Sequence, residues 1–302
     1  MAPATVVCSS ERLELLFGSY LPGGHMYQTI LDAMTALSET PSIFGSENPQ
    51  KGESEFQLAL GKKLDQMTEA DGWTWRHSGS KNKEERFKTD SLSNEETIAI
   101  DLMGRHKAKG VVAIELKYVL APPKNKYGFP WDVAKDCLKL DLLRGGHCTP
   151  QLPNNLQTYV IAMTDWSNFW RGKGSFGWAT NFVNVMRETP VRFEGVIKTT
   201  GGNPEKTIFK GGRCHIAFAL PWTGEWRPYG STKQAEQFRY LILRPELDAQ
   251  TQWTHHETLS VDDQSEIYPF LNRDSRDEWR RRYDLMWKLH KEEADAGTKR
   301  HE

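Results

Sequence analysis

The chain has 302 residues, of which 38% are hydrophobic and 26% charged, and its formal net charge at pH 7 is −1. This length allows one large hydrophobic core or two modest ones, and the composition is ordinary for a globular protein. A nearly neutral chain is not expected to coat nucleic acid without selectivity. No apolar run approaches the ~20 residues of a membrane span, and residues 1–8 lack the basic region of a secretory signal. We therefore expect a cytoplasmic protein without membrane contact.

The first predicted elements are helices. Apolar residues at helical spacing predict one or two helices within residues 10–38, and we expect residues 1–45 to form an N-terminal helical cap. A further helix is predicted to follow Asn48 and Pro49, because proline suits the first turn. Its apolar stripe comprises Phe56, Leu60, Leu64 and Met67.

Glu53 lies on the same stripe of this helix, three residues before Phe56 and seven before Leu60. A carboxylate on an apolar face is unexpected unless it meets a cation. Its position near the positive end of the helix dipole explains it equally well, so both interpretations stay open. Glu55 is predicted to point sideways into solvent.

The most informative pattern lies in residues 98–118, where two apolar runs flank a short basic linker and only Asp101, Glu115 and Lys117 interrupt them with charge. An antiparallel hairpin with its turn near residues 107–108 would place Asp101 opposite Glu115. Lys117 shares the face of Glu115, because side chains alternate along a strand. The pattern therefore predicts two carboxylates and one ammonium group on a mostly apolar surface.

Such a cluster indicates metal chemistry. Two close carboxylates suit a hard divalent cation such as Mg²⁺, with Mn²⁺ as a substitute. A lysine beside the ion can orient an attacking water, help to deprotonate it and stabilise charge on a phosphate. The competing interpretation is a buried salt bridge of Lys117 with Glu115 or Asp101 that only holds the hairpin together.

The order of a helix with Glu53, a strand, a strand with Asp101 and a strand with Glu115-x-Lys117 resembles the PD-(D/E)XK nuclease superfamily. The segment Gly-Glu-Ser-Glu-Phe…Trp-Arg-His-Ser-Gly-Ser is similar to the start of its Holliday-junction-resolvase branch. The resemblance covers about residues 50–118. It departs from the family pattern at Ile100, which stands where the name-giving proline would be.

The resemblance implies an α/β fold with a restriction-endonuclease-like α/β/α core and a central mixed sheet. It implies Glu53, Asp101, Glu115 and Lys117 as the catalytic set. The expected metal ligands are Glu53, Asp101, Glu115 and the backbone carbonyl of Leu116. The expected nucleic-acid-binding residues, in loops beside the site, are Ser78, Ser80, Lys81, Lys83, Arg105 and Lys107. Solvated loop charge is the alternative for the basic members of that set.

A helix is predicted over residues 131–144 and a buried strand over 156–163. A helix that links the hairpin to a further strand is the crossover expected for a parallel pair. Lys135 and Lys139 lie on the less apolar flank of that helix and are expected to be solvated. Residues 165–230 hold five of the eleven tryptophans, for which core packing is favoured over stacking on bases.

The rest of the chain completes the predicted organisation. Residues 214–221 and 238–243 are predicted strands that extend the sheet, so the core is expected to span residues 46–250. Residues 251–302 are expected to form a polar linker and a charged helix over 275–294. The apolar stripe of that helix, a possible homodimer contact, comprises Trp279, Tyr283, Met286 and Trp287.

The sequence as a whole predicts a Mg²⁺-dependent endonuclease that hydrolyses phosphodiester bonds of DNA in restriction, anti-phage defence or repair. The first alternative is a catalytically silent, nuclease-like subunit that binds nucleic acid or assembles with other proteins. The second is a structural α/β protein whose hairpin carries only a salt bridge.

Overall fold

The fold is known from a computed structural model. It describes residues 24–39, 49–77, 85–89, 97–120, 128–144, 148–150, 152, 156–171, 176–194, 196–197, 216–218, 221–229 and 238–246. The described α-helices are α1 (Gly24–Ser38), α2 (Pro49–Thr68), α3 (Gly128–Arg144) and α4 (Thr180–Met186). Short 3₁₀ turns cover Glu69–Asp71, Ser167–Phe169 and Gly177–Ala179.

The described strands form a central sheet and two small ones. They are β1 (Thr74–His77), β2 (Glu85–Thr89), β3 (Thr97–Ile100), β4 (Leu102–His106), β5 (Gly110–Val119), β6 (Cys148–Thr149), β7 (Leu156–Thr164), β8 (Val191–Phe193), β9 (Val196–Ile197), β10 (Ile216–Ala217), β11 (Trp222–Gly224), β12 (Trp226–Pro228) and β13 (Arg239–Pro245).

The central sheet is mixed and mostly antiparallel. Its strand order is β1-β4-β5-β7-β13-β11-β8, with β12 paired to β13. Strands β5 and β7 are parallel and α3 connects them, which confirms the predicted crossover. The other pairs of this sheet are antiparallel. The predicted α/β class with a mixed central sheet is therefore confirmed.

The predicted strand at residues 238–243 is confirmed as part of β13, which pairs with β7. The prediction for residues 214–221 is wrong in its placement. Within that range the described strand β10 pairs with β9 in a separate two-stranded sheet. It therefore does not extend the central sheet.

Helices cover both faces of the central sheet. In β5, Val112, Ile114 and Leu116 belong to the hydrophobic cluster that includes α1 and α2. Val111 and Ala113 belong to the cluster that includes α3 and α4. Because strand side chains alternate between faces, a strand covered on both sides is apolar almost throughout. This explains the nearly continuous apolar run of the hairpin.

The predicted hairpin has the predicted register, but its first strand is interrupted. Leu102 pairs with Ile114, and the turn covers residues 107–109. Residues 97–100 form β3, which pairs with β2 in the small sheet β3-β2-β6. Asp101 therefore lies in a bend between two strands of different sheets, and not within one strand.

The described tryptophans of residues 165–230 pack in the core, as predicted. Trp222 is fully buried and donates its indole N–H to Asp141 Oδ1 at 3.1 Å. The others are partly buried against the same hydrophobic cluster: Trp166, Trp170, Trp178 and Trp226. Core packing accounts for this concentration of aromatic residues.

Several predictions concern residues outside the described ranges. These are the region before residue 24, the linker and helix of residues 251–302 with the dimer stripe, and the loop residues Ser78, Ser80, Lys81 and Lys83. Within the described ranges, no helix is both long and apolar enough to cross a membrane.

We predict that Gly52→Ala lowers the free energy of unfolding, although alanine is the better helix former by about 1 kcal/mol. A Cβ at Gly52 would collide with the ring of Tyr118, which is buried against α2. Overpacking of this kind costs about 1–3 kcal/mol. Urea denaturation measures the change, and Ser54→Ala at an exposed position of the same helix is the control. A more stable Gly52→Ala variant would contradict the close packing of α2 on β5.

Candidate functional site

The candidate site lies at an edge of β5 that β4 leaves uncovered. In the described structure, β4 pairs with β5 only as far as Ile114. Beyond that point Asp101 Oδ2 accepts a hydrogen bond from the Leu116 N–H at 2.8 Å, and Glu53 Oε2 accepts one from the Tyr118 N–H at 3.1 Å. Two carboxylates therefore take the place of a neighbouring strand, and satisfy N–H groups that would otherwise need other partners.

Helix α2 brings Glu53 to this edge. Its fully buried side chains pack on the sheet: Phe56, Leu60 and Leu64. Glu53 lies on that side and contacts β5, while Glu55 is exposed, so the helical phase agrees with the prediction. Met67 is 39% exposed, so the inclusion of Met67 in the stripe is wrong.

Gln57 ties α2 to the bend that carries Asp101. This buried side chain lies one helical turn after Glu53, and its Nε2 donates to the backbone oxygen of Asp101 at 2.7 Å. A second, longer contact joins the same Nε2 to Asp101 Oδ1 at 3.4 Å. The sequence analysis did not identify this residue, because a glutamine on a helix carries no distinctive signal.

On the opposite face of the sheet, Glu115 meets α3. Glu115 is 2% exposed and Asp136 of α3 is fully buried. The Lys139 ammonium lies between them, 3.0 Å from Glu115 Oε2 and 2.8 Å from Asp136 Oδ1. Because an isolated buried carboxylate costs several kcal/mol, this ammonium group compensates two such charges at once.

Lys117 connects the two groups of acids. Its Nζ lies 3.9 Å from Glu53 Oε1 and 3.7 Å from Asp136 Oδ2. Asp136 contributes most to raising the pKa of Lys117 above its usual range, and this effect outweighs burial. Lys117 is therefore a stable ammonium group.

Burial shifts the pKa values of the carboxyl groups. It raises the pKa of Asp101 to about 6, against the opposing effect of the Leu116 N–H, and the charges of Asp136 and Glu53 add to the rise. Burial also raises the pKa of Glu115, despite Lys139. For Asp136 burial acts in the same direction, but Lys139, Lys117 and Lys135 outweigh it and lower the pKa. Asp101 and Glu115 thus lack full compensation by positive charge.

We call the following six groups the charge cluster: Glu53, Asp101, Glu115, Asp136, Lys117 and Lys139. When all are ionised, four carboxylates face two ammonium groups, so two negative charges are in excess. Among the described residues, Glu115 Oε1 has no hydrogen-bond partner although it is buried. The Leu116 carbonyl faces the same edge as the Leu116 N–H, because both groups of a strand residue point to one side.

This donor set fits a hard divalent cation. Its ligand atoms are all oxygens, and the excess charge equals that of one such ion. No three His, Cys, Asp or Glu side chains of the described residues are placed to hold an ion in this structure. The two ammonium groups lie between the carboxylates, so an ion would need the carboxylates to draw closer together.

The structure brings together the four residues predicted as catalytic and adds Asp136 and Lys139 from α3. The prediction that Lys139 is solvated is wrong, because its side chain is 19% exposed and pairs with two buried carboxylates. A signal exists in the sequence, since Asp132, Lys135, Asp136 and Lys139 follow helical spacing on one side of α3. Alternating acids and bases are equally typical of a solvent-exposed helix, so the signal is ambiguous.

Two of the predicted nucleic-acid-binding residues, Arg105 and Lys107, lie in the described part of the chain. Arg105 forms an ion pair with Glu85, and Lys107 is exposed in the hairpin turn. Glu115 is five positions further along β5 than Gly110 at that turn, a distance of roughly 17 Å at the rise of a strand. The turn with Lys107 therefore lies at the far end of β5 from Glu115, whereas Glu85, the partner of Arg105, pairs with Ile100 next to Asp101. Contact of Arg105 and Lys107 with nucleic acid stays a prediction.

In comparisons with models of known protein families, with curated proteins and with solved structures, the chain matches none of them. Function is therefore inferred from the geometry of the charge cluster and from the motif resemblance.

We predict that Lys139→Met lowers the free energy of unfolding at pH 7 by about 3–5 kcal/mol, because Glu115 and Asp136 lose their shared counter-ion. The loss should shrink as the pH falls, since protonation neutralises the two carboxylates. Lys135→Met is the matched control on the same helix, where Lys135 pairs with the half-buried Asp132 at 2.9 Å. We expect a change of at most about 1 kcal/mol there. Equal losses in urea denaturation would contradict the assigned role of Lys139.

We predict that Asp101→Asn makes the metal-free protein more stable at pH 8 and leaves its stability nearly unchanged at pH 4. The pKa of Asp101 rises from 3.8 to about 6 on folding. The stability linked to its protonation is therefore present below pH 3.8 and lost as the pH rises through about 6. Asparagine avoids that loss, which amounts to at most about 3 kcal/mol. A less stable variant at pH 8 in urea denaturation would show that the ionised carboxylate stabilises the fold.

Proposed function

We propose that the protein is a Mg²⁺-dependent endonuclease that hydrolyses phosphodiester bonds of DNA, with Mn²⁺ as a substitute for Mg²⁺. The observation that carries the proposal is the meeting of Glu53, Asp101, Glu115 and Lys117 around one end of β5. These are the residues to which the PD-(D/E)XK resemblance gives catalytic roles. The order β1-β4-β5-β7, with α2 before β1 and α3 between β5 and β7, supports a restriction-endonuclease-like core.

Each residue has a distinct task in the proposed reaction. Glu53, Asp101, Glu115 and the Leu116 carbonyl would hold the ion, which would supply an activated water and neutralise charge on the phosphate. The N–H groups of Leu116 and Tyr118 fix the orientation of the Asp101 and Glu53 carboxylates. Lys117 remains an ammonium group because its pKa is raised. It therefore orients the attacking water and stabilises developing negative charge, but does not remove the proton.

The competing proposal is a catalytically silent, nuclease-like subunit that binds nucleic acid or assembles with other proteins. The ion pairs of Lys139 favour it, because they satisfy one oxygen of Glu115 without a metal. The second oxygen of Glu115 and the two excess negative charges favour the enzyme. In a catalytically silent site, nothing would offset the free-energy cost of burying this excess negative charge.

The biological setting that we propose is restriction, anti-phage defence or repair in the cytoplasm. A site of this kind cuts one strand, so a double-strand break requires two sites, which a two-fold symmetric homodimer would supply. The form of DNA that is cut is therefore part of the test and includes duplex, junction and single-stranded substrates.

We predict that Glu53→Gln and Lys117→Ala reduce Mg²⁺-dependent nicking of supercoiled plasmid by about 100-fold or more. Glutamine keeps an oxygen that can accept from the Tyr118 N–H, so Glu53→Gln removes charge with little change of structure. Glu55→Gln is the matched control, because Glu55 is exposed two residues further along α2. We expect its cleavage rate to equal that of the wild type. Wild-type rates for Glu53→Gln or Lys117→Ala, or a rate insensitive to EDTA, would contradict the proposal.

A further inference from the structure

We infer that each chain takes one divalent cation and that the Lys139 ammonium group occupies the place of a second cation. The inference rests on the proposed function, since it concerns the ion of that same site. The inference states how many ions each chain binds. It also gives a role to Lys139, which is not among the catalytic residues implied by the PD-(D/E)XK resemblance.

The position of Lys139 is that of a bridging cation. Its Nζ is within 3.0 Å of Glu115 Oε2 and 2.8 Å of Asp136 Oδ1, and both carboxylates are almost fully buried. Two-metal sites place a second divalent cation beside the first. Here an ammonium group that is covalently fixed to α3 performs the bridging.

Glu115 divides its two oxygens between two cations. Oε2 accepts from Lys139, whereas Oε1 is buried and has no hydrogen-bond partner among the described residues. A buried carboxylate oxygen without a hydrogen-bond partner costs free energy unless a ligand binds to it. Oε1 is therefore the atom of Glu115 that would be left for an ion. Asp136 Oδ1 and Oδ2 also have no hydrogen-bond partner among the described residues, but each lies within ion-pair distance of a lysine, Lys139 and Lys117 respectively.

The charge of the cluster sets the number of ions. Four carboxylates against Lys117 and Lys139 leave two negative charges, which one divalent cation neutralises. A second divalent cation would leave two positive charges in excess at a largely buried site, which is unfavourable. Removal of the Lys139 charge leaves three negative charges and two carboxylates without a bridge, so a second ion then becomes favourable.

The test counts bound Mn²⁺ per chain, by equilibrium dialysis with detection of free Mn²⁺ by electron paramagnetic resonance. We expect one Mn²⁺ in the wild type, two in Lys139→Met and one in Lys135→Met. Lys135 lies one turn earlier on α3 and pairs with Asp132, so it controls for loss of a lysine from this helix.

The outcomes separate the inference from the proposed function. Two Mn²⁺ in the wild type, or one in Lys139→Met, would overturn the inference and leave the proposed function intact. No Mn²⁺ in the wild type would overturn both. Should Lys139→Met be unfolded without metal, we expect Mn²⁺ to restore its circular dichroism spectrum, because the second ion replaces the missing ammonium group. Failure of Mn²⁺ to restore the fold would equally overturn the inference.

Discussion

Glu115 and Asp136 place two carboxylates between β5 and α3, in a space almost closed to water. Burial of such charge costs several kcal/mol unless a partner compensates it. Lys139 meets both carboxylates, so the packing of α3 on the sheet depends on an ion-pair bridge as well as on apolar contacts. The fold and the candidate site therefore share the same residues. A change in this bridge should alter stability together with the proposed ion binding.

The free edge of β5 explains why the site lies where it does. Beyond the end of β4, the backbone N–H groups of Leu116 and Tyr118 in β5 donate to Asp101 and Glu53. Three separate elements, α2, the bend and β5, thereby meet at one point. Carboxylates held in this way carry a burial cost unless positive charge compensates them.

The hairpin and its acidic residues could be predicted from sequence, because a short turn and the alternation of strand side chains fix the register. That local rule placed Asp101 and Glu115 together, and helical phase distinguished Glu53 from Glu55. The bend at Asp101 depends on the pairing of β3 with β2, which no local pattern encodes. The position of Lys139 depends on which side of α3 turns to the sheet, and its charge pattern suits a solvated face equally well.

The most direct measurement is the location of Mn²⁺ by anomalous X-ray diffraction from crystals grown with that ion. We expect a single peak at the free edge of β5, in contact with oxygens of Asp101 and Glu115 and with the Leu116 carbonyl. Lys139 should remain between Glu115 and Asp136. A peak elsewhere in the molecule, or no peak at saturating Mn²⁺, would contradict the assignment of the charge cluster as a divalent-cation site.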